Sequence, residues 1–376
     1  MKRILTFSSD KRWRKQVGGR MFYFGRGKSK SDTKSYRDAE KRYFEFMADR
    51  ERSKGIERLV SDLTMEDFGE KFLQAQFARY EQGDISPSYF EKLRINIGDL
   101  VTFLGPDRPL ASLFEANLTD YRNHTLSLPI SFATKKTISI STAKSRLDTI
   151  KMAIKWGYRE ALIDRMPRNL GGFSRVKLPP PKVEIFSRKE IKALYMTADD
   201  RMRTWILMAL NCGFGQADLA DLRVGEIDLK ERRIHRNRTK TGVETRFVLW
   251  PLTMAMLQKT GDLDGEPDAR VFRSKNGRPL VHERIVDDKL KKTDSVRSAF
   301  SRLTKKLGIN GGRGFYTLRK TAASEIEKID PLATSMFLGH AERGMKKHYA
   351  ERDWERLGLA IGLLWERLAL DGLEMH

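Results

Sequence analysis

Cysteine is almost absent from this chain: Cys212 is the only one in 376 residues. One thiol excludes an internal disulfide and any cysteine-cluster metal site, and a reducing, cytoplasmic setting is the expectation. The six histidines show no ligand spacing such as His-x-x-x-His, so no metal is expected. Long apolar runs are also missing. Trp205-Ile-Leu-Met-Ala-Leu210 falls far short of the roughly 18 residues that a bilayer crossing needs, and no membrane span is expected. The basic N-terminal segment has no apolar stretch of the kind a secretory leader carries. Internal repeats and low-complexity tracts are absent. Acidic residues are outnumbered, 50 against 72 Lys and Arg, for a formal charge of +22.

That charge accompanies 40% apolar residues, which describes a folded basic protein and not a disordered basic tail. Nucleic acid is the leading partner, an anionic membrane surface the second. The length suggests two or three domains.

Residues 1–58 carry 18 Lys and Arg against 8 Asp and Glu, interleaved with Trp13, Phe22, Tyr23 and Phe24. Gly18-Gly19 separates two β-prone runs, the signature of a hairpin. A small β-ribbon is expected, able to enter a major groove with Arg12, Arg14, Lys15 and Arg20 against phosphates or base edges; a solvated basic extension is the alternative. From about Ser35 the pattern turns helical.

Residues 59–172 read as all-helical. Thr64 with Asp67 is a capping pair, and Phe90, Leu93, Ile97, Leu100, Val101 and Leu104 form the apolar stripe of a helix ended by Gly105-Pro106. A short helix is expected around Leu118 to Arg122. Another runs from near Ser141 to about Arg159, with Leu147, Ile150 and Ile154 inward. Lys144, Lys151, Lys155 and Arg159 fall along one of its faces, where they would track phosphates; an ordinary solvated face is the alternative. Pro179-Pro180-Pro181 makes a stiff, extended linker over 173–184.

From 185 to the end, Ser187-Arg-Lys-Glu190 is a capping box. The β-prone runs at Ile227, Arg233–Arg236 and Thr245–Leu249 suggest a three-stranded antiparallel sheet with Lys240 at a hairpin tip. From Ile285 onward the pattern reads as helical. Leu357, Ala360, Ile361, Leu364 and Leu368 mark an amphipathic C-terminal helix.

Taken in order, Cys212-Gly-Phe-Gly-Gln-Ala-Asp-Leu219, Thr239-Lys-Thr-Gly242, Tyr316-Thr-Leu-Arg319, Leu338-Gly-His340 and Tyr349, nine residues after that histidine, resemble the catalytic domain of the tyrosine recombinase (phage integrase) family. Each motif alone is weak, whereas the ordered set is specific. The resemblance extends over the whole chain and implies a multidomain, mainly α protein with small β-sheets. Its parts would be an arm-type β-ribbon module with its lead-in helix (1–58), a helical core-binding domain (59–172) and a mixed α+β catalytic domain (185–376). It also implies an activity, DNA cleavage and rejoining through a 3′-phosphotyrosyl intermediate without metal or nucleotide cofactor. The partners would be paired recombination sites in double-stranded DNA, bound as a homotetramer whose C-terminal helix docks on a neighbour; packing of that helix on its own domain is the alternative. A phage or bacterial mobile element would be the setting.

By the same resemblance Tyr349 is the nucleophile, Arg319 clamps phosphate oxygens, Lys240 is the general acid and His340 hydrogen-bonds the phosphate. Two positions depart from the family pattern. The first motif usually reads Gly-x-Arg-x-x-Glu, and Gly215 stands where its arginine belongs; Tyr316 stands where the second motif begins with histidine. Three arrangements compete at Gly215. An arginine such as Arg203, Arg223 or Arg246 fills the space, backbone N–H groups approach the phosphate, or cleavage is lost and a DNA-binding regulatory or architectural protein is left.

Overall fold

The computed structural model describes residues 3–17, 20–61, 63–128, 138–180, 183–238, 242–287, 289–309, 311–340 and 352–374, with the side chains of 20 and 49–61 excepted. The chain divides into two compact units, Met1–Leu178 and Pro179–His376. It is mostly helical with small antiparallel sheets. Among the described residues no helix is long and apolar enough to cross a membrane.

The first unit opens with strands β1 (Thr6–Phe7), β2 (Arg12–Val17) and β3 (Arg20–Arg26), paired in that order. Alternation along β2 turns Trp13 inward, fully buried, and it packs with Phe24, Leu5 and Ala39 of helix α1 (Thr33–Ser61). Four further helices and a short turn of helix follow: α2 (Met65–Glu81), α3 (Pro87–Leu104), α4 (Glu115–Ser127), α5 (Ile140–Arg159) and α6 (Leu170–Phe173). The Thr64–Asp67 capping box starts α2, with the Thr64 N–H donating to the Asp67 carboxylate at 2.8 Å. Gly105 ends α3. Phe68, Phe72, Leu93, Ile97, Leu100, Leu147, Ile150 and Ile154 fill the shared core, the stripe that the spacing of α3 and α5 requires. The short helix expected around Leu118 to Arg122 runs from Glu115 to Ser127.

The second unit begins with α7 (Arg188–Thr197), α8 (Asp200–Asn211) and α9 (Gln216–Asp221). A three-stranded antiparallel sheet follows, β4 (Ile227–Asp228), β5 (Arg233–Asn237) and β6 (Glu244–Val248). Next come α10 (Pro251–Thr260), strands β7 (Val281–Val286) and β8 (Lys289–Asp294), and helices α11 (Ser295–Lys306), α12 (Tyr316–Ile329), α13 (Pro331–Phe337) and α14 (Trp354–Arg367). The helix expected from Ile285 is corrected: β7 and β8 form a hairpin, with Ile285 opposite Leu290, and helix resumes only at Ser295 under an Asp294 cap. Asp287, at φ +51°, has a left-handed backbone that a right-handed helix running from Ile285 could not contain and that a turn between two strands accepts. The C-terminal helix packs within its own unit. Leu357, Ala360, Ile361 and Leu364 are buried, and the Trp250 indole donates to the Ile361 carbonyl at 2.9 Å.

The start of α7 is tied to the segment before α12. Ser187 and Glu190 complete their capping box, and Arg313 holds Glu190 through both guanidinium nitrogens at 2.6 and 3.0 Å. Arg313, opposed in part by burial and helped by Ser187, depresses the Glu190 carboxyl to about 2. A depressed carboxylate contributes stability above its ordinary value of 4.5 and loses it as pH falls toward about 2. Glu190→Gln is therefore expected to lower the urea midpoint at pH 6 and to flatten its decline between about pH 4.5 and 2. Equal slopes in the two proteins would remove Glu190 from the acid response.

Candidate active site

Helix α8 stops at Asn211, and Gly213, at φ +62°, turns the chain back on itself. A β-carbon there would be strained and would lie 2.8 Å from the Phe337 ring. The turn aims the Gly213 carbonyl at Arg319, on the first turn of α12 and only 3% exposed. Arg319 Nη1 donates to that carbonyl, and its Nη2 donates to the carbonyl of Leu338 at 2.7 Å. Asp218 Oδ2 lies 4.0 Å from Nη1. Two carbonyls thus hold one planar guanidinium in a fixed orientation.

Leu338 caps α13, and Gly339 at φ +53° reverses the chain so that the His340 N–H reaches the Ser335 carbonyl at 3.0 Å. A β-carbon at Gly339 would sit 2.9 Å from Thr245 and 3.1 Å from Arg238. The glycine of Leu-Gly-His therefore serves both the turn and the close approach of the β5–β6 hairpin. His340 is exposed at the rim. Desolvation and the cations of Arg319 and Arg238 hold its imidazole below the ordinary value, which favours the neutral ring.

Arg238, the residue after β5, was not anticipated. It donates to the same Leu338 carbonyl, at 2.9 Å. Two residues earlier Arg236 is buried and heavily engaged: it donates to the Asp218 carbonyl at 2.9 Å and lies 3.4 and 3.6 Å from Glu226 and Asp221. The signal in the sequence was the alternation Arg236-Asn-Arg238 directly before Thr239-Lys-Thr-Gly242, but the partner carbonyl lies 100 residues away.

Gly215 sits at the start of α9 with its N–H donating to Asp218 Oδ2 at 2.8 Å. A β-carbon on it would meet the Tyr316 ring at 3.3 Å. Tyr316 is 44% exposed, with its ring 5.9 Å from the Arg319 guanidinium carbon. The three arginines considered as fillers are occupied elsewhere. Arg203 bonds the Tyr195 carbonyl and Asp200, Arg223 bonds Asp221 and the Asp268 carbonyl, and Arg246 bonds Glu244. Lys240 and Tyr349 lie outside the described residues; the strands that flank the Lys240 turn pair antiparallel, Asn237 opposite Glu244.

In the first unit, Lys144 pairs with Asp148 at 2.6 Å and Lys151 donates to the Gly171 carbonyl at 3.0 Å, whereas Lys155 and Arg159 are exposed. Half of the basic stripe on α5 is thereby engaged within the protein. On β2, Arg12 pairs with Asp10 at 3.2 Å, Arg14 is half-buried and Lys15 donates to the Ile4 carbonyl at 3.0 Å. The Arg20 side chain lies outside the described residues. Among the described residues no group of three His, Cys, Asp or Glu side chains is placed to hold a metal ion.

Residues 184–356 match the model of the phage integrase family. No curated protein matches the sequence. Among solved structures, a lambda integrase dimer bound to a COC' core site aligns with TM-score 0.55 and 16% identity, covering 94% of this chain and 97% of that one. The lambda integrase tetramer bound to a Holliday junction gives 0.55 and 16%, over 94% and 98%. A Tn1549 transposon integrase in complex with a circular intermediate DNA gives 0.54 and 16%, over 81% and 99%. At this identity the likeness establishes a shared multidomain fold.

Proposed function

Through residues 184–356 the chain belongs to the phage integrase family, and on that premise we propose that it is a site-specific DNA recombinase that cleaves and rejoins strands through Tyr349. The observation that carries this reading is the buried Arg319, its guanidinium fixed by the Gly213 and Leu338 carbonyls. A fixed cation in a desolvated place stabilises charge that develops on a phosphate far better than one in water. Supporting it are the net charge of +22 and the fold shared with integrases whose structures contain DNA.

In the proposed step the Tyr349 phenol oxygen attacks phosphorus, and the bond to the 5′ oxygen breaks. A 3′-phosphotyrosyl link forms, and the 5′ oxygen takes a proton from Lys240. Arg319 holds non-bridging oxygens through its planar fork, and His340 and Tyr316 donate hydrogen bonds to them. Attack by a 5′ hydroxyl on the phosphotyrosine reverses the step, so the bond energy is kept and no cofactor is required. The tyrosine, with an ordinary pKa near 10, becomes nucleophilic only as its proton leaves, and that proton passes to water. Residues 1–58 would contact arm-type DNA through Arg12, Arg14, Lys15 and Arg20. Residues 59–172 would follow core-site phosphates, with Lys155 and Arg159 the freest of the α5 cations and Lys144 and Lys151 joining once released. The working form would be a homotetramer on paired sites.

The competing reading, a DNA-binding regulator without cleavage on the same scaffold, draws on Gly215. A nicked suicide substrate separates the two. A covalent protein–DNA adduct that disappears in Tyr349→Phe is the expected result. Tight binding without any adduct would establish the regulator.

A further inference from the structure

Arg236 and Arg238 alternate along one strand end, yet their surroundings differ. Arg236 is surrounded by acceptors. Among the described residues Arg238 has no carboxylate within 4.0 Å, and its single side-chain bond goes to the Leu338 carbonyl. Arg319 donates to that same oxygen. The Nε atoms of Arg236, Arg238 and Arg319 are all buried without a hydrogen-bond partner among the described residues, but Arg236 has two carboxylates within 3.6 Å to balance its charge. Two guanidiniums converging on one neutral oxygen repel each other, and the nearest acid, Asp218, reaches only Arg319 and only at 4.0 Å. Buried donors and unbalanced positive charge of this kind call for an oxyanion.

Gly215 cannot supply the missing cation by itself. The Tyr316 ring lies against the place a side chain would start, and the Gly215 N–H is committed to Asp218. We propose that Arg238 is the second phosphate-clamping cation of this site, delivered from the β5–β6 hairpin, and that with Arg319 it holds the non-bridging oxygens of the DNA phosphate under attack. The assignment rests on the recombinase reading for the identity of that phosphate. The β5–β6 hairpin would then supply two groups, because Arg238, the residue after β5, precedes Lys240 by two positions in the sequence.

The test is a cycle between protein charge and backbone charge. Tyr349→Phe protein, with Arg238 intact or changed to Ala or Gln, is bound to a duplex selected by the protein from random-sequence DNA. In each of a set of copies one phosphate is replaced by an uncharged methylphosphonate. With Arg238 intact, one backbone position is expected to weaken binding strongly when neutralised. In Arg238→Ala and Arg238→Gln that sensitivity is expected to vanish while the effect of other positions persists. Gln keeps a donor for the Leu338 carbonyl, so a loss of charge recognition in both variants is not a folding defect. With Tyr349 present, Arg238→Ala is expected to slow adduct formation about 10²- to 10³-fold, the usual effect of losing one preorganised donor. Equal, additive losses at every backbone position, or adduct formation at the unaltered rate, would overturn the role of Arg238. An adduct without the coupling removes Arg238 and leaves the recombinase; coupling without an adduct keeps the clamp and removes the cleavage.

Discussion

Arg319→Ala is expected to slow covalent adduct formation by at least about 10³-fold while DNA binding stays within about tenfold of the unaltered protein. Removal of one donor to transition-state charge costs a factor of about 10² to 10³, and here a charged, bidentate group is lost. Binding is spared because it is spread over many phosphate contacts elsewhere in the chain. Arg319→Lys should restore little. The Gly213 and Leu338 carbonyls sit on two nitrogens of one plane, which a single ammonium cannot reproduce. Single-turnover cleavage of the suicide substrate measures the effect, and a variant within tenfold of the unaltered rate would refute it.

Phe337→Ala is expected to cost about 3 to 5 kcal/mol of stability, the usual range for a large aromatic removed from a packed core. The ring is fully buried, lies 6.1 Å from the Phe247 ring, and packs where Gly213 lacks a β-carbon. It also immediately precedes Leu338, whose carbonyl receives both Arg238 and Arg319. The variant should therefore lose strand cleavage even under conditions where it remains folded, and Phe337→Leu should retain much of both properties. Urea midpoints together with cleavage rates at fixed folded fraction measure this. A loss of less than about 1 kcal/mol would mean that the site's support lies elsewhere.

Local rules made much of the scaffold legible. The Thr64–Asp67 and Ser187–Glu190 capping boxes, the stripe of α3, the sheet around β5 and the mainly α architecture with small sheets follow from periodicity and turn chemistry. Where competing patterns were weak, reading failed. The charged run Lys289–Asp294 carries little β-propensity of its own, and only pairing with Val281–Val286 makes it a strand. Leu357 and Ile361 announced an amphipathic helix without saying what covers it; the structure covers it with its own unit. The position of Arg319 was legible because its motif is contiguous. Arg238 was not, because its meaning comes from a carbonyl that the hairpin meets only after α13 has turned at Gly339. The engagement of Lys144 by Asp148 was readable as an i, i+4 pair, whereas that of Lys151 by Gly171 required the tertiary fold.

The most direct measurement is the chemical location of the DNA link. After reaction with the suicide substrate, nuclease and protease digestion should leave one peptide whose mass is increased by a nucleotide, and fragmentation should place that increase on the oxygen of Tyr349. A nucleotide on any other residue, or an unmodified Tyr349 in protein that has cleaved DNA, would contradict the proposed chemistry.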